Sequence, residues 1–396
     1  MKKSMRKISM IIGVILIGLF VIDYVFETNI VNRILINDKE APTINVDQLP
    51  RQYLLNREFN YSIIVCEDNH DESCDVEIID SFDTSVLGVQ SITLKAIDSS
   101  GNSVEKVYQI EIVENADSSM YIPLGYYDSI EGLEGSALKS ALNDIITGHI
   151  EYIYSSKNDI DMDVWELLKI TDEDPNNENN VLMFYSGFSM PKECQDGSSE
   201  YPESCYVDSD AEGVPIKWNR EHVWSKSRGD FEIKEGTTTV LALGAHTDIH
   251  HLVPEESSMN STKNNRMFED CNDGDDTNVE SRGYGNYTCN IWSFEPRDEV
   301  KGDVARMLFY MSVRYEGEEG DMVDLELVND PVEDKNSKLP EYGDLDDLLR
   351  WHLDDPVSEY EIFRNQTIYT YQNNRNPFID IPELVELIWG NPEDYN

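Results

Sequence analysis

The spacing of apolar positions changes along the chain, and each change predicts a different kind of element. Ile8 to Phe26 is an almost unbroken apolar run behind Lys2, Lys3, Arg6 and Lys7. Its length is close to the roughly 20 residues that span a bilayer, so it predicts an export signal or signal anchor with its bases kept inside. No alanine precedes Ala41, so the usual small-x-small cleavage site is missing and an uncleaved anchor is favoured over a cleaved peptide.

From Ala41 the period shortens to two. Tyr61 to Cys66, Asp75 to Ile79, Val89 to Ile97 and Val104 to Val113 are short β-rich runs separated by polar turns. Ile92, Leu94 and Ala96 alternate with Val89, Ser91 and Thr93, and Val107, Ile110 and Ile112 stand beside polar neighbours, as one buried face requires. Asp98-Ser-Ser-Gly-Asn102 supplies the turn residues of a hairpin between the last two runs. Residues 41–115 therefore predict an antiparallel sandwich, and the pattern resembles bacterial immunoglobulin-like surface modules, which implies a spacer or a contact with the cell wall. The acids Glu67, Asp68, Asp71, Glu72 and Asp75 read as a solvated loop in preference to a calcium site.

Beyond Tyr121 the spacing lengthens to three and four. It predicts helices over Ser136 to Tyr154, Asp303 to Tyr315 and Pro382 to Trp389. Pro254-Glu-Glu-Ser-Ser reads as another helix start, putting Asn260 and Asn264 on one face. A chain of 396 residues exceeds one core, and these textures divide it into 1–40, 41–115 and an α+β region, 116–396.

Composition narrows the chemistry. A net charge of -47 repels nucleic acid at long range, yet Val214 to Arg266 balances seven bases against seven acids. Six cysteines fall into the local pairs Cys66 with Cys74, Cys194 with Cys205 and Cys271 with Cys289, a pattern suited to disulfides outside the cytosol.

Four of the seven histidines lie between His222 and His251. They are grouped as Asn219-Arg-Glu-His222-Val-Trp224 and Gly244-Ala-His-Thr-Asp-Ile-His-His-Leu252, followed by Met259-Asn-Ser-Thr-Lys-Asn-Asn-Arg266. Hydrolysis of a phosphodiester needs a base for water and a cation for the developing charge, and His222 beside Glu221 suits both needs. Neighbours on a regular strand point to opposite faces, so a shared site implies a bulge or a strand end. His70, His149 and His352 read as structural, and Trp218 and Trp224 as packing residues.

With a strand, a second strand and a helix bearing an oxygen ligand, this segment resembles the ββα-metal (His-Me) finger of the endonuclease I family. The resemblance extends from about Gly125 to Gly390 through Tyr127-Asp-Ser-Ile-Glu-Gly-Leu-Glu-Gly135, Asp172-Glu-Asp-Pro175, Lys301-Gly-Asp-Val-Ala-Arg306 and Asn374-Arg-Asn-Pro-Phe-Ile-Asp380. Taken with the earlier segments, the expectation is a multidomain protein: a transmembrane or signal helix, an immunoglobulin-like sandwich, and an α+β nuclease domain at the cell surface, or secreted if the signal is cleaved. The family resemblance implies the chemistry of that last domain. It implies His222 as general base, Glu221 and Asn260 as protein ligands of one Mg2+, with Mn2+ or Ca2+ as substitutes, and 5′-phosphate products from DNA, RNA or both. Arg220 and Arg266 are implied phosphate contacts, and Asp248, His250 and His251 orienting groups. The family's Gram-negative branch has a histidine-asparagine pair where this chain has His250-His251, so no role for His251 transfers from that branch.

Two other readings compete. His246-x-Asp-x-His-His251 resembles zinc hydrolase clusters in composition, though its order of Asp and His differs from theirs. The strong acidity and the appended sandwich also suit a surface adhesin built on a nuclease scaffold.

Overall fold

The computed structural model describes residues 38–390, less short stretches of which 114–120, 157–161, 207–213, 232–242, 272–275 and 318–322 are the longest. The expected apolar segment at Ile8 to Phe26 lies outside the described residues. Among the described residues no helix is long and apolar enough to cross a membrane. The chain groups into two compact units, with the boundary between Leu124 and Gly125.

The N-terminal unit contains β1 (Thr43–Asn45), β2 (Gln52–Leu54), β3 (Val65–Glu67), β4 (Asp75–Asp80), β5 (Gly88–Ile97) and β6 (Ser103–Val113). One sheet has the order β2-β6-β5-β4, and β1 pairs with β3 in a second. Alternation along β5 is as expected: Ile92, Leu94 and Ala96 are buried while Val89 faces outward. Val107 departs from expectation, because a period of two puts it on the face opposite buried Ile110 and Ile112, and it is exposed. The run from Tyr61 also forms less strand than expected. β3 begins only at Val65, and Tyr61 packs edge-on against Phe59 at 4.9 Å. The β5–β6 turn is closed by Asp98 Oδ1, which accepts from Asn102 N at 2.7 Å, with Gly101 at φ 89°.

The C-terminal unit opens with α1 (Gly135–Ile146), which is shorter than its apolar spacing suggests. Thr147 turns extended and Gly148 takes φ 80°, so the helix stops, and Ile150 is left half exposed outside it. Next come α2 (Val164–Thr171), then β7 (Glu173–Asp174), β8 (Asn177–Leu182) and β9 (Ser189–Pro191), which form one antiparallel sheet. The hairpin β10 (Trp218–His222) and β11 (Leu252–Glu256) leads into α3 (Ser257–Lys263). Pro254 and Glu255, expected to open a helix, belong to β11 instead. The helix starts after Glu256, whose carboxylate caps it by accepting from Ser258 N and Met259 N.

A four-stranded sheet joins β12 (Met267–Phe268), β13 (Glu280–Gly283), β14 (Asn286–Cys289) and β15 (Ser293–Glu295) in the order β12-β15-β14-β13. The remaining elements are α4 (Lys301–Arg314), the parallel pair β16 (Glu326–Val328) and β17 (Glu341–Asp344), α5 (Leu345–Asp354), α6 (Glu359–Gln372), α7 (Pro377–Asp380) and α8 (Leu384–Trp389). Every residue of α4 from Gly302 to Arg314 is buried, the mark of a helix surrounded on all sides.

Three of the short motifs outside the hairpin contribute residues to buried ion pairs, and the fourth donates the Tyr127 hydroxyl to Asp380. Arg306 of α4 meets Glu361 of α6 through two bonds, at 2.5 and 2.8 Å. Arg375 meets Asp380 at 2.6 and 2.8 Å, and Arg364 meets Asp172 at 2.8 and 3.2 Å. Removing one partner of such a pair strands a buried charge, at a cost of about 3–5 kcal/mol. The three local cysteine pairs are all disulfides: Cys66–Cys74, Cys194–Cys205 and Cys271–Cys289.

Candidate active site

The β10–β11 hairpin is held from both sides. Trp218 and Leu252 join one apolar core, and Val223, Val253 and Met259 join another. Between those contacts, β10 and α3 together leave one polar cleft open. Asn219, Arg220, Glu221 and His222 all line a cleft of about 480 Å³, together with Asn260, Asn264, Lys226, Tyr154 and Trp165. The pairing from Trp218↔Glu256 to His222↔Leu252 is regular, so Glu221 and His222 share the cleft because the strand ends there, without a bulge.

His222 is fixed by a carbonyl. Its Nε2 lies 3.0 Å from the backbone oxygen of His246, an atom that can only accept. The proton therefore sits on Nε2, and Nδ1 carries the lone pair. Burial, followed by the neighbouring His246, His251 and Lys226, holds the imidazole well below its ordinary value, so it is neutral.

Glu221 is buried and only partly engaged. Its Oε1 accepts from the Tyr185 hydroxyl at 3.1 Å and lies 3.1 Å from Lys263 Nζ. Burial raises its carboxyl above the ordinary value, and the Lys263 ammonium opposes that shift. Asn260 donates its amide nitrogen to Asn219 Oδ1 at 2.6 Å, which turns its amide oxygen to the other side. One carboxylate oxygen and one amide oxygen bordering the same polar cleft are a fitting donor set for a hard divalent ion that keeps most of its waters.

Arg220 also lines the cleft, with its guanidinium clamped between the rings of Tyr154 at 3.4 Å and Trp165 at 3.9 Å. It donates to the Tyr154 carbonyl and to Ser155 Oγ, while its buried Nε has no partner among the described residues. Desolvation lowers it to about 10.

The other residues singled out in the sequence lie behind or beside the cleft. His251 is fully buried behind His222, ring to ring at 5.5 Å, and its Nε2 lies 2.7 Å from the Ala245 carbonyl. His250 borders a different, smaller cavity and packs on Tyr310 at 4.4 Å. Asp248 accepts from His250 N, from the hydroxyls of Tyr310 and Tyr315, and from Gln372 Nε2, at 2.8 to 3.1 Å. Burial raises its carboxyl, but His149, His250, His251 and Gln372 outweigh burial and hold it below the ordinary value. Arg266 stacks on Trp292 at 3.9 Å and donates to the Thr262 carbonyl, outside the cleft lining. His246, Asp248, His250 and His251 do not converge as a zinc cluster among the described residues. The acidic or histidine groups close enough to share an ion there are Asp38-Asp68-Asp98 and Glu269-Asp276-Cys289, and the cysteine of the latter is in a disulfide.

Sequence reasoning passed over Lys226, Lys263, Tyr154 and Trp165. A lysine four residues after the Glu-His pair carried a weak signal. The others reach the site only through tertiary contacts.

The endonuclease I family pattern matches residues 134–383. Proteins described as extracellular ribonucleases, from Bacillus subtilis (strain 168) and Bacillus amyloliquefaciens, are 45% and 46% identical over 265 residues, which is 67% of this chain and 78% of each relative. A family match over residues 134–383, which include the whole cleft, together with identity of that depth makes this chain a nuclease of the endonuclease I family.

Proposed function

We propose that the chain is an extracellular, metal-dependent endonuclease without sequence specificity, in which His222 is the general base and Glu221 and Asn260 hold one Mg2+. The observation that carries the reading is the bond from His222 Nε2 to the His246 carbonyl. It leaves Nδ1 as the basic nitrogen of a neutral imidazole, the state a general base needs before it takes a proton from water. The bound cation would neutralise charge developing on the phosphate and the leaving oxygen. Arg220, immobilised between two rings, supplies a fixed positive charge along the cleft wall. The cleavage products are assigned 5′-phosphates.

RNA is the substrate placed first, because the relatives are described as extracellular ribonucleases. Their description also supports export of this chain, with the apolar run at Ile8 to Phe26 as its signal or anchor. The N-terminal unit is assigned as an immunoglobulin-like spacer at the cell surface, and β10, β11 and α3 as the ββα finger.

The test is digestion of labelled single-stranded RNA, single-stranded DNA and duplex DNA at low salt, with Mg2+, Zn2+ or EDTA. Mg2+-dependent cleavage that His222→Ala abolishes supports the assignment. Cleavage that persists in EDTA, or in a folded His222→Ala protein, overturns it.

A further inference from the structure

One oxygen of Glu221 is already taken. Oε1 receives the Tyr185 hydroxyl and faces the Lys263 ammonium, both at 3.1 Å. Lys263 has no exposed surface. Its Nζ also donates to the Val223 carbonyl at 3.0 Å and Ser225 Oγ at 2.9 Å, above the rings of Phe268 and Tyr342. An ammonium this buried is costly to desolvate, and it is retained where several acceptors and an opposite charge hold it. These acceptors come from the end of β10, the segment after it and Glu221 itself, so the lysine ties the carboxylate to the strand that carries it.

Lys263 also stands three residues after Asn260 on α3, one turn away on the same helix. A single short helix thus supplies the amide oxygen and the cation that aims the carboxylate.

Coordination chemistry gives this arrangement a consequence. Mg2+ keeps several waters, demands near-octahedral geometry and is satisfied by single oxygens, whereas Ca2+ takes more oxygens and often binds both atoms of one carboxylate. With Oε1 committed, Glu221 can present only Oε2. Two-oxygen ligation would require Oε1 to give up Lys263 and Tyr185. Building on the metal assignment above, we propose that Lys263 is a positioning residue that restricts Glu221 to one-oxygen ligation, and that it thereby makes the site select Mg2+ over Ca2+.

The test needs no nucleic acid. The purified full chain is titrated with Mn2+, free Mn2+ is counted from its electron paramagnetic resonance signal, and Mg2+ or Ca2+ is then added as competitor. Lys263→Met is expected to shift the ratio of Mg2+ to Ca2+ dissociation constants toward Ca2+ by about tenfold or more, the usual weight of a group supporting a metal ligand. Tyr185→Phe, which frees the same oxygen of its other partner, is expected to shift the ratio the same way by less. Circular dichroism melts identify which variants are folded, and Tyr185→Phe decides if Lys263→Met is not. An unchanged ratio in the deciding variant, with Mn2+ still bound by the unaltered chain, overturns this proposal alone. No Mn2+ binding by the unaltered chain overturns the metal assignment and this proposal together.

Discussion

Two carboxylates in the C-terminal unit, Asp248 and Glu221, are both removed from solvent, and their surroundings differ in a telling way. Asp248 is saturated. Four donors from a neighbouring amide, two tyrosines and a glutamine surround it, and its carboxyl is held below the ordinary value. Glu221 receives both of its side-chain partners on one oxygen, and burial raises its carboxyl. A saturated carboxylate pins segments together and has no bonding capacity left for anything else. A half-satisfied one bears a desolvation cost that a ligand can relieve. The contrast sorts the acidic residues near the histidine cluster better than their order in the sequence does.

The largest expected effect lies on the saturated side. Asp248→Ala leaves the Tyr310 and Tyr315 hydroxyls and Gln372 without their acceptor, so it should cost about 3 kcal/mol or more of stability, measured by urea denaturation. A loss under 1 kcal/mol would show that this carboxylate does not pin the fold. The same contact has a pH signature. Because the folded-state value is depressed, the stabilisation is present above the unfolded value of about 3.9 and is lost as pH falls through and below it. Asp248→Asn should therefore differ most from the unaltered chain above pH 4, with the two converging in more acid solution.

On the other side of the comparison, His222→Ala should lower turnover by at least about a hundredfold while the protein still folds, as a cooperative melt would show. Loss of the fold in that variant would move His222 to the structural side. Asn260→Ala should raise the Mg2+ concentration for half-maximal activity by about tenfold, with less effect on turnover at saturating metal. An unmoved titration midpoint would remove Asn260 from the ligand set.

A third buried carboxylate, Glu255, lies next to the strand position that pairs with Arg220. Burial pushes it up to about 8, against the amides of Tyr185 and Glu256 that donate to it. A raised carboxyl binds its proton more tightly when folded, so this group's contribution to stability falls as pH rises from about 4.3 toward 8. Glu255→Gln cannot ionise and should remove that decline, which melts at pH 5 and pH 8 would reveal.

How much of this could be read from the sequence depended on the kind of interaction. β5 was legible because burial there follows a period of two, and α4 because its apolar residues recur at helical spacing although polar neighbours are buried with them. The Glu221, His222 and Asn260 neighbourhood was legible because chemically demanding side chains stood close together. α6 was not, because Arg364, Asn365, Gln366 and Gln372 are among its buried residues and are held there by hydrogen bonds instead of apolar spacing. The end of α1 was missed because apolar residues continue past Gly148 in the helical rhythm although the chain does not. Lys263 was unreadable for a further reason: its meaning lies in a strand and a loop far from it in sequence.

The direct passage from β11 to α3 constrains how such a site can change. Glu256 ends the strand and Ser257 begins the helix, with no residue between them. Asn260 is thus indexed to the hairpin by covalent continuity as well as by its bond to Asn219. Inserting one residue at that junction would turn it about 100° around the helix axis, away from Glu221. Drift in chain length is forbidden at this point, and lineages that keep the activity should place their insertions in the connections that flank the hairpin.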